Sequence, residues 1–155
     1  MKLTIKKFQT MRTLDGGGYS YDLHIDGVKA AFVIDEGHGG MVMAQWYDRS
    51  LEPAFNAHVA SLPPKPVDPN AEQWVKDMHP KGFETVTDEM VFEDLAADYE
   101  LEKKLRSKCK KMTCFRLPSD ARGEFRTLNS PYSPKAKEWI LKKYPDAVIL
   151  NEAQA

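Results

Sequence analysis

The chain has 155 residues, 42% of them hydrophobic and 29% charged, with a net charge of −1. That composition excludes a disordered or fibrous protein and fits one domain-sized core. No apolar run approaches the roughly 20 residues that a membrane helix needs.

Residues 1–7 alternate charged and apolar side chains and lack the continuous apolar core of a secretion signal. The expectation is a cytoplasmic protein with no membrane partner. In that compartment Cys109 and Cys114 are expected as reduced thiols. The histidines (His24, His38, His58, His79) show none of the paired spacing of a zinc site, so no metal and no cofactor is expected.

The first 47 residues read as an antiparallel meander. Residues 3–8 form a first strand, ending before a glycine turn at Gly16, Gly17 and Gly18. Tyr19, Tyr21, Leu23 and Ile25 then alternate with polar residues at the period of a half-buried strand. Asp26-Gly27 supplies a two-residue hairpin turn, because a type I′ turn needs positive φ at both positions. That turn predicts Ile25 facing Val28, Leu23 facing Ala30, Tyr21 facing Phe32 and Tyr19 facing Ile34, all on one side. A glycine-rich turn over residues 35–40 leads to a last apolar stretch, 41–46.

Residues 50–60 have apolar side chains at helical spacing, with Ser50 as the expected cap and Pro53 in the first turn. Pro63, Pro64, Pro66 and Pro69 make residues 62–70 an extended connector. A short helix follows over 71–78. Residues 87–108 form the main helix, with Val91, Phe92, Leu95 and Tyr99 on one face, acids at its start and bases at its end, as the helix dipole favours. The remainder reads strand (112–117), strand (124–128), helix (133–143, capped by Ser133 with Pro134 first) and strand (147–150). Four consecutive apolar residues in that last strand predict cover on both faces.

The predicted fold class is therefore α+β: an N-terminal antiparallel β-meander plus helix, a long central helix and a C-terminal ββαβ unit. Residues 1–155 form either one domain or two lobes, 1–61 and 71–152, joined by the connector 62–70.

Charge is segregated along the chain. Residues 1–102 carry 9 Lys and Arg against 18 Asp and Glu, a net of −9; residues 103–144 carry 13 against 3, a net of +10. Two halves that attract each other and a partner-binding surface both produce such a pattern.

Two segments carry a resemblance. Residues 18–27 (GYSYDLHIDG) with 33–40 (VIDEGHGG), and the later CFRL (114–117), GEFRT (123–127), YSP (132–134), Lys143-Tyr144 and ILNE (149–152), resemble small proteins of bacteriophages and other mobile elements. The two segments that contain these motifs, 18–40 and 114–152, together span a little under half the chain. The resemblance implies a genomic setting rather than a reaction, and no catalytic residue carries over from it. An accessory role in that setting includes counter-defence, an anti-CRISPR-like inhibition of host machinery.

Among candidate sites the basic stretch leads. Lys103, Lys104, Arg106, Lys108, Lys110, Lys111 and Arg116 fall within fourteen residues, and Arg122 and Arg126 follow on the predicted hairpin. Clustered cations neutralise phosphates, and neighbouring aromatics such as Phe115, Phe125 and Tyr132 can stack on bases. The bland alternative is a solvated helix end. The acids of the central helix admit the opposite reading, mimicry of phosphates toward a nucleic-acid-binding protein.

Catalytic signatures are weak. Asp35, Glu36 and His38 sit in a glycine turn without a phosphate-loop ending or a zinc-protease spacing. Asp22, His24 and Asp26 lie on the polar side of the meander, with Lys29 across from His24, where acid–base work and an ordinary exposed sheet face look alike. Cys114 lies among bases that would lower its pKa. Trp74, if exposed, is an interface anchor.

The leading expectation is thus a phage or mobile-element accessory protein that binds nucleic acid or a host nucleoprotein. The alternatives are a small hydrolase or transferase using Asp22, His24, Asp35 and His38, and a virion assembly component.

Overall fold

The structure, a computed structural model, describes residues 1–154. The fold is mixed α+β, with an N-terminal four-stranded antiparallel sheet, a long helix and a C-terminal three-stranded sheet with a helix. It divides into two compact units, Met1–Ala96 and the residues from Ala97 onward. The division falls within the long helix. The proline-rich stretch 62–70 lies inside the first unit.

Strands β1 (Leu3–Thr13), β2 (Gly16–Ile25), β3 (Val28–Asp35) and β4 (Met43–Trp46) form the meander in chain order. Gly16–Gly18 belong to β2 and are not the turn expected of them. The chain turns at Leu14-Asp15, and these glycines serve a close approach instead. A Cβ on Gly18 would lie 2.5 Å from the Asp35 carbonyl oxygen, and one on Gly37 would lie 2.7 Å from the Gly17 carbonyl carbon.

The Asp26-Gly27 hairpin forms as its turn dictates, with Asp26 at φ 48° and Ile25 opposite Val28. The predicted register then fails after one further pair. His24 pairs with Lys29, but Leu23 pairs with Ala31, Tyr21 with Val33 and Tyr19 with Asp35. Ala30 is the extra residue of a β-bulge, and its carbonyl accepts the Tyr47 N–H (2.9 Å). A one-residue slip moves side chains to the other face. Phe32 and Ile34 consequently leave the core face, where Ala31 and Val33 replace them, and line a shallow outer groove with Met43.

Helix α1 (Glu52–Ala60) starts from Leu51, not from Ser50. Asp48 explains why: its Oδ1 accepts both the Ser50 N–H (2.9 Å) and the Ser50 hydroxyl (2.6 Å), so that serine is not free to cap. Strands β5 (Lys65–Pro66) and β6 (Phe83–Glu84) pair around the short helix α2 (Gln73–Met78), which buries none of its side chains. Helix α3 spans Asp88–Cys109.

The core of the first unit lies between one sheet face and α1 and the start of α3. Tyr21, Leu23, Val33, Phe55 and Phe92 are fully or almost fully buried there, and the Phe55 and Phe92 rings stack at 5.3 Å. Burial pushes the Tyr21 phenol far up; its hydroxyl stays protonated and donates to the Phe92 carbonyl at 2.9 Å.

In the second unit β7 (Thr113–Arg116) lies between β8 (Arg126–Leu128) and β9 (Val148–Ile149), both antiparallel to it. Helix α4 (Pro134–Lys143) is capped by the Ser133 hydroxyl, which accepts the Ala136 N–H at 3.1 Å. Its Ile140 packs with Phe115, Ala147 and Ile149. The expectation that the last strand is covered on both faces is wrong. Val148 is 59% exposed between buried Ala147 and Ile149, because β9 is an edge strand with one wet face.

Asn151 closes this unit. Its buried amide accepts the Cys114 N–H (2.7 Å) and donates to the Met112 (2.9 Å) and Cys109 (3.1 Å) carbonyls. One side chain thus ties the end of α3 to the start of β7.

Candidate nucleic-acid interface

The last turns of α3 bury Leu105 and turn the rest of their surface outward. At 3.6 residues per turn, Lys103, Lys104, Arg106, Lys108 and Lys110 spread over an arc of roughly 200° centred opposite Leu105. Lys111 follows in the turn that closes the helix, where the Lys108 carbonyl accepts both the Lys111 N–H (3.0 Å) and the Met112 N–H (2.9 Å). All six cations are exposed, and among the described residues none of them forms an ion pair. The helix dipole accounts for cations near a C-terminus. It does not account for six cations that form no ion pair, although Glu100 and Glu102 stand one turn before Lys104 and Arg106 on the same helix.

The three arginines grouped with them from sequence differ in having partners within the chain. Arg122 bonds both Asp98 carboxylate oxygens (3.0 and 3.2 Å). Arg126 grips Asp120 through Nε (3.1 Å) and a terminal nitrogen (2.8 Å). The Arg126 hydrogen bonds and the Leu117 N–H hold the Asp120 carboxyl below its usual range despite burial. Arg116 donates to the Glu124 carbonyl at 3.0 Å. Arg116 and Arg126 thus brace the β7–β8 connection, and Arg122 ties it to α3.

Two shallow grooves flank the cationic helix end. One, of about 270 Å³, includes Tyr99, Lys103, Arg106 and Lys110. The other, of about 460 Å³, lies between α3 and the β7–β8 connection and includes Lys104, Lys108, Phe125 and Arg126. Sequence reasoning passed over a further basic–aromatic pair. Trp139 is 50% exposed on α4, and the Lys143 ammonium lies 5.4 Å from its ring centroid. The i,i+4 spacing of these residues beside buried Ile140 was the signal that could have found it.

No family model, curated protein or solved structure matches this chain.

The rival site is not assembled. Asp22 lies nearly buried under Lys29 (3.2 Å), Lys7 (3.6 Å) and the Tyr47 hydroxyl (3.3 Å). Burial raises its pKa, but those three partners outweigh that and hold the carboxyl below its usual value, the opposite of a poised base. His24 Nδ1 lies 3.3 Å from the Gly27 carbonyl, Asp35 accepts the Gly37 N–H, and His38 pairs with Asp15 at 3.1 Å on the surface. The four side chains therefore belong to separate networks. Among the described residues, no three His, Cys, Asp or Glu side chains form a group that could hold a metal ion.

The expectation for Cys114 reverses as well. Burial, then its neighbour Cys109, pushes the thiol up to about 12, and Lys108 offsets only part of that. Three acids of α3 have partners: Glu89 accepts the Val42 N–H (3.0 Å), Asp94 pairs with Lys65, and Asp98 holds Arg122. No helix among the described residues is long and apolar enough to cross a membrane.

Proposed function

We propose that the protein binds nucleic acid through the C-terminal end of α3. The observation that carries this reading is the set of six exposed cations, Lys103, Lys104, Arg106, Lys108, Lys110 and Lys111, left without ion partners on a helix end. Several carboxylates elsewhere, such as Asp22, Asp94 and Asp120, do hold ion partners, and this contrast supports an external partner for the six cations. Polyphosphate backbones supply closely spaced negative charge that such a surface neutralises with release of counterions. The resemblance of its segments to small phage and mobile-element proteins supports reading this binding as an accessory role, with counter-defence as the form to test.

The test is a salt titration of binding to single- and double-stranded DNA and RNA. Affinity should fall steeply with salt. Reversing Lys108, Lys110 and Lys111 to Glu should abolish binding at moderate salt, and replacing any one of them with Ala should lower the salt slope by about one. Absence of binding to every nucleic acid at low salt removes the reading.

One observation favours a second reading, a protein target. Trp74 (60% exposed), Met78 (66%) and Phe83 (58%) form an uncovered apolar group on and after α2, and Trp74 and Met78 share a helix face by their i,i+4 spacing. If nucleic acid is not bound, Trp74→Ala is the variant with which a host-protein partner should be tested.

A further inference from the structure

The groove between α3 and the β7–β8 connection contains an aromatic ring that belongs to neither core cluster. The ring is that of Phe125, which is only partly buried. On the helix side stand Lys104 and Lys108, four residues apart and so neighbours on the helix surface, with Cβ atoms about 5–6 Å apart. Both are without ion partners. Two carboxylates also line the groove, and each is turned to a partner of its own. Asp120 is held by Arg126 and the Leu117 N–H (2.8 Å), and Glu124 Oε2 accepts the Ala121 N–H at 3.3 Å.

A cationic pair one helical turn apart, lining a groove with a ring that belongs to neither core cluster, is a combination suited to single strands. Backbone charge is met by lysine, and an unstacked base is met by an aromatic face. A duplex offers the same phosphates but keeps its bases stacked on one another, so the ring would gain nothing from it. The groove volume of about 460 Å³ falls within the roughly 300–1,000 Å³ typical of small-ligand sites, enough to receive a nucleotide and not a helix.

We propose that this groove binds single-stranded nucleic acid, with phosphates on Lys104 and Lys108 and one base stacked on Phe125. The inference rests on the proposed function and narrows it to a substrate class.

Fluorescence anisotropy at low salt tests it with four probes of equal length: an oligothymidylate, an oligouridylate, a duplex, and an abasic strand that keeps the phosphates and lacks the bases. The single strands should bind roughly tenfold more tightly than the abasic strand. Phe125→Leu should erase that difference, Phe125→Trp should preserve it, and Lys104→Glu with Lys108→Glu should weaken all four. Equal binding of the abasic strand, duplex and single strands by the unaltered protein overturns the inference and leaves the proposed function standing. Binding of none of the probes removes both. The abasic comparison needs no variant, so a folding defect in the Phe125 substitutions does not obscure the result.

Discussion

Residues 1–96 hold 15 acidic and 9 basic side chains, yet several of their carboxylates are committed to internal partners: Asp22 under Lys29 and Lys7, Asp94 to Lys65, Glu89 to a backbone N–H. From residue 97 onward 13 basic side chains face 8 acidic ones, and Asp98, Asp120 and Glu152 are paired while six lysines and arginines on one helix end stay unpaired. Core size differs in the same direction. Thirteen buried residues join in the first cluster and four in the second. The comparison teaches that pairing, not net charge, distinguishes the units. Net charge is similar in size on the two, −6 and +5, and what sets the second apart is a group of cations left without ion partners at the end of α3.

The largest expected effect breaks the core of the first unit. Phe92→Ala should cost about 3–5 kcal/mol in urea unfolding, because it removes a fully enclosed ring stacked on Phe55. Amide exchange should then accelerate chiefly within residues 1–96. Asn151→Ala probes the other unit. It strips the Cys114 N–H and two carbonyls of their shared partner and should cost about 2–3 kcal/mol, with exchange accelerating around Cys109 and Cys114. If either variant loosens both units equally, the two do not respond as separate bodies.

Acid sharpens the contrast through two carboxyls shifted in opposite directions. Asp120 titrates lower in the folded chain, so its contribution is fully present above the ordinary carboxylate pKa of about 4 and is lost as pH falls through the depressed value. Asp120→Asn should flatten the acid limb of the stability curve. Glu93 titrates higher, because burial and then Glu89, Asp35 and Asp94 disfavour its charge; acidification relieves that cost. Glu93→Gln should therefore stabilise modestly at neutral pH and have no effect in acid, measured by thermal unfolding across pH. The smallest effect is chemical. Iodoacetamide at mildly alkaline pH should modify half-buried Cys109 well before Cys114 in the native protein, and equal rates would show that the buried thiol is reached by opening of the unit.

Much of the fold was legible because local rules act alone there. Asp26-Gly27 fixed a turn, Ser133-Pro134 fixed a helix start, and the 3.6-residue spacing of Val91, Phe92 and Leu95 marked the packed face of α3. The bulge was not legible, since Ala30 and Ala31 are both small and apolar and either one satisfies the alternation. Ser50 looked like a cap because capping rules do not reveal that Asp48 will take its hydroxyl first. At the site, the excess of cations could be counted from the residues. The loss of Arg116, Arg122 and Arg126 could not, because their acceptors depend on how the chain returns: Arg122 reaches back 24 residues to Asp98, and Arg126 reaches across its own loop to Asp120. Phe125 read as one more aromatic until its absence from the packed clusters gave it a different meaning.

The close approach of the start of β2 to the β3–β4 connection has its own consequence for how this sequence can vary. At Gly18 and Gly37 two backbones pass so closely that even a methyl group meets main-chain atoms inside 3 Å, whereas Gly40, in the same glycine-rich turn as Gly37, has nothing within 4 Å. A saturation library would accept many residues at 40 and little beyond the wild type at 18 and 37. The obstruction at 18 and 37 is the chain itself, so no side-chain rearrangement relieves it.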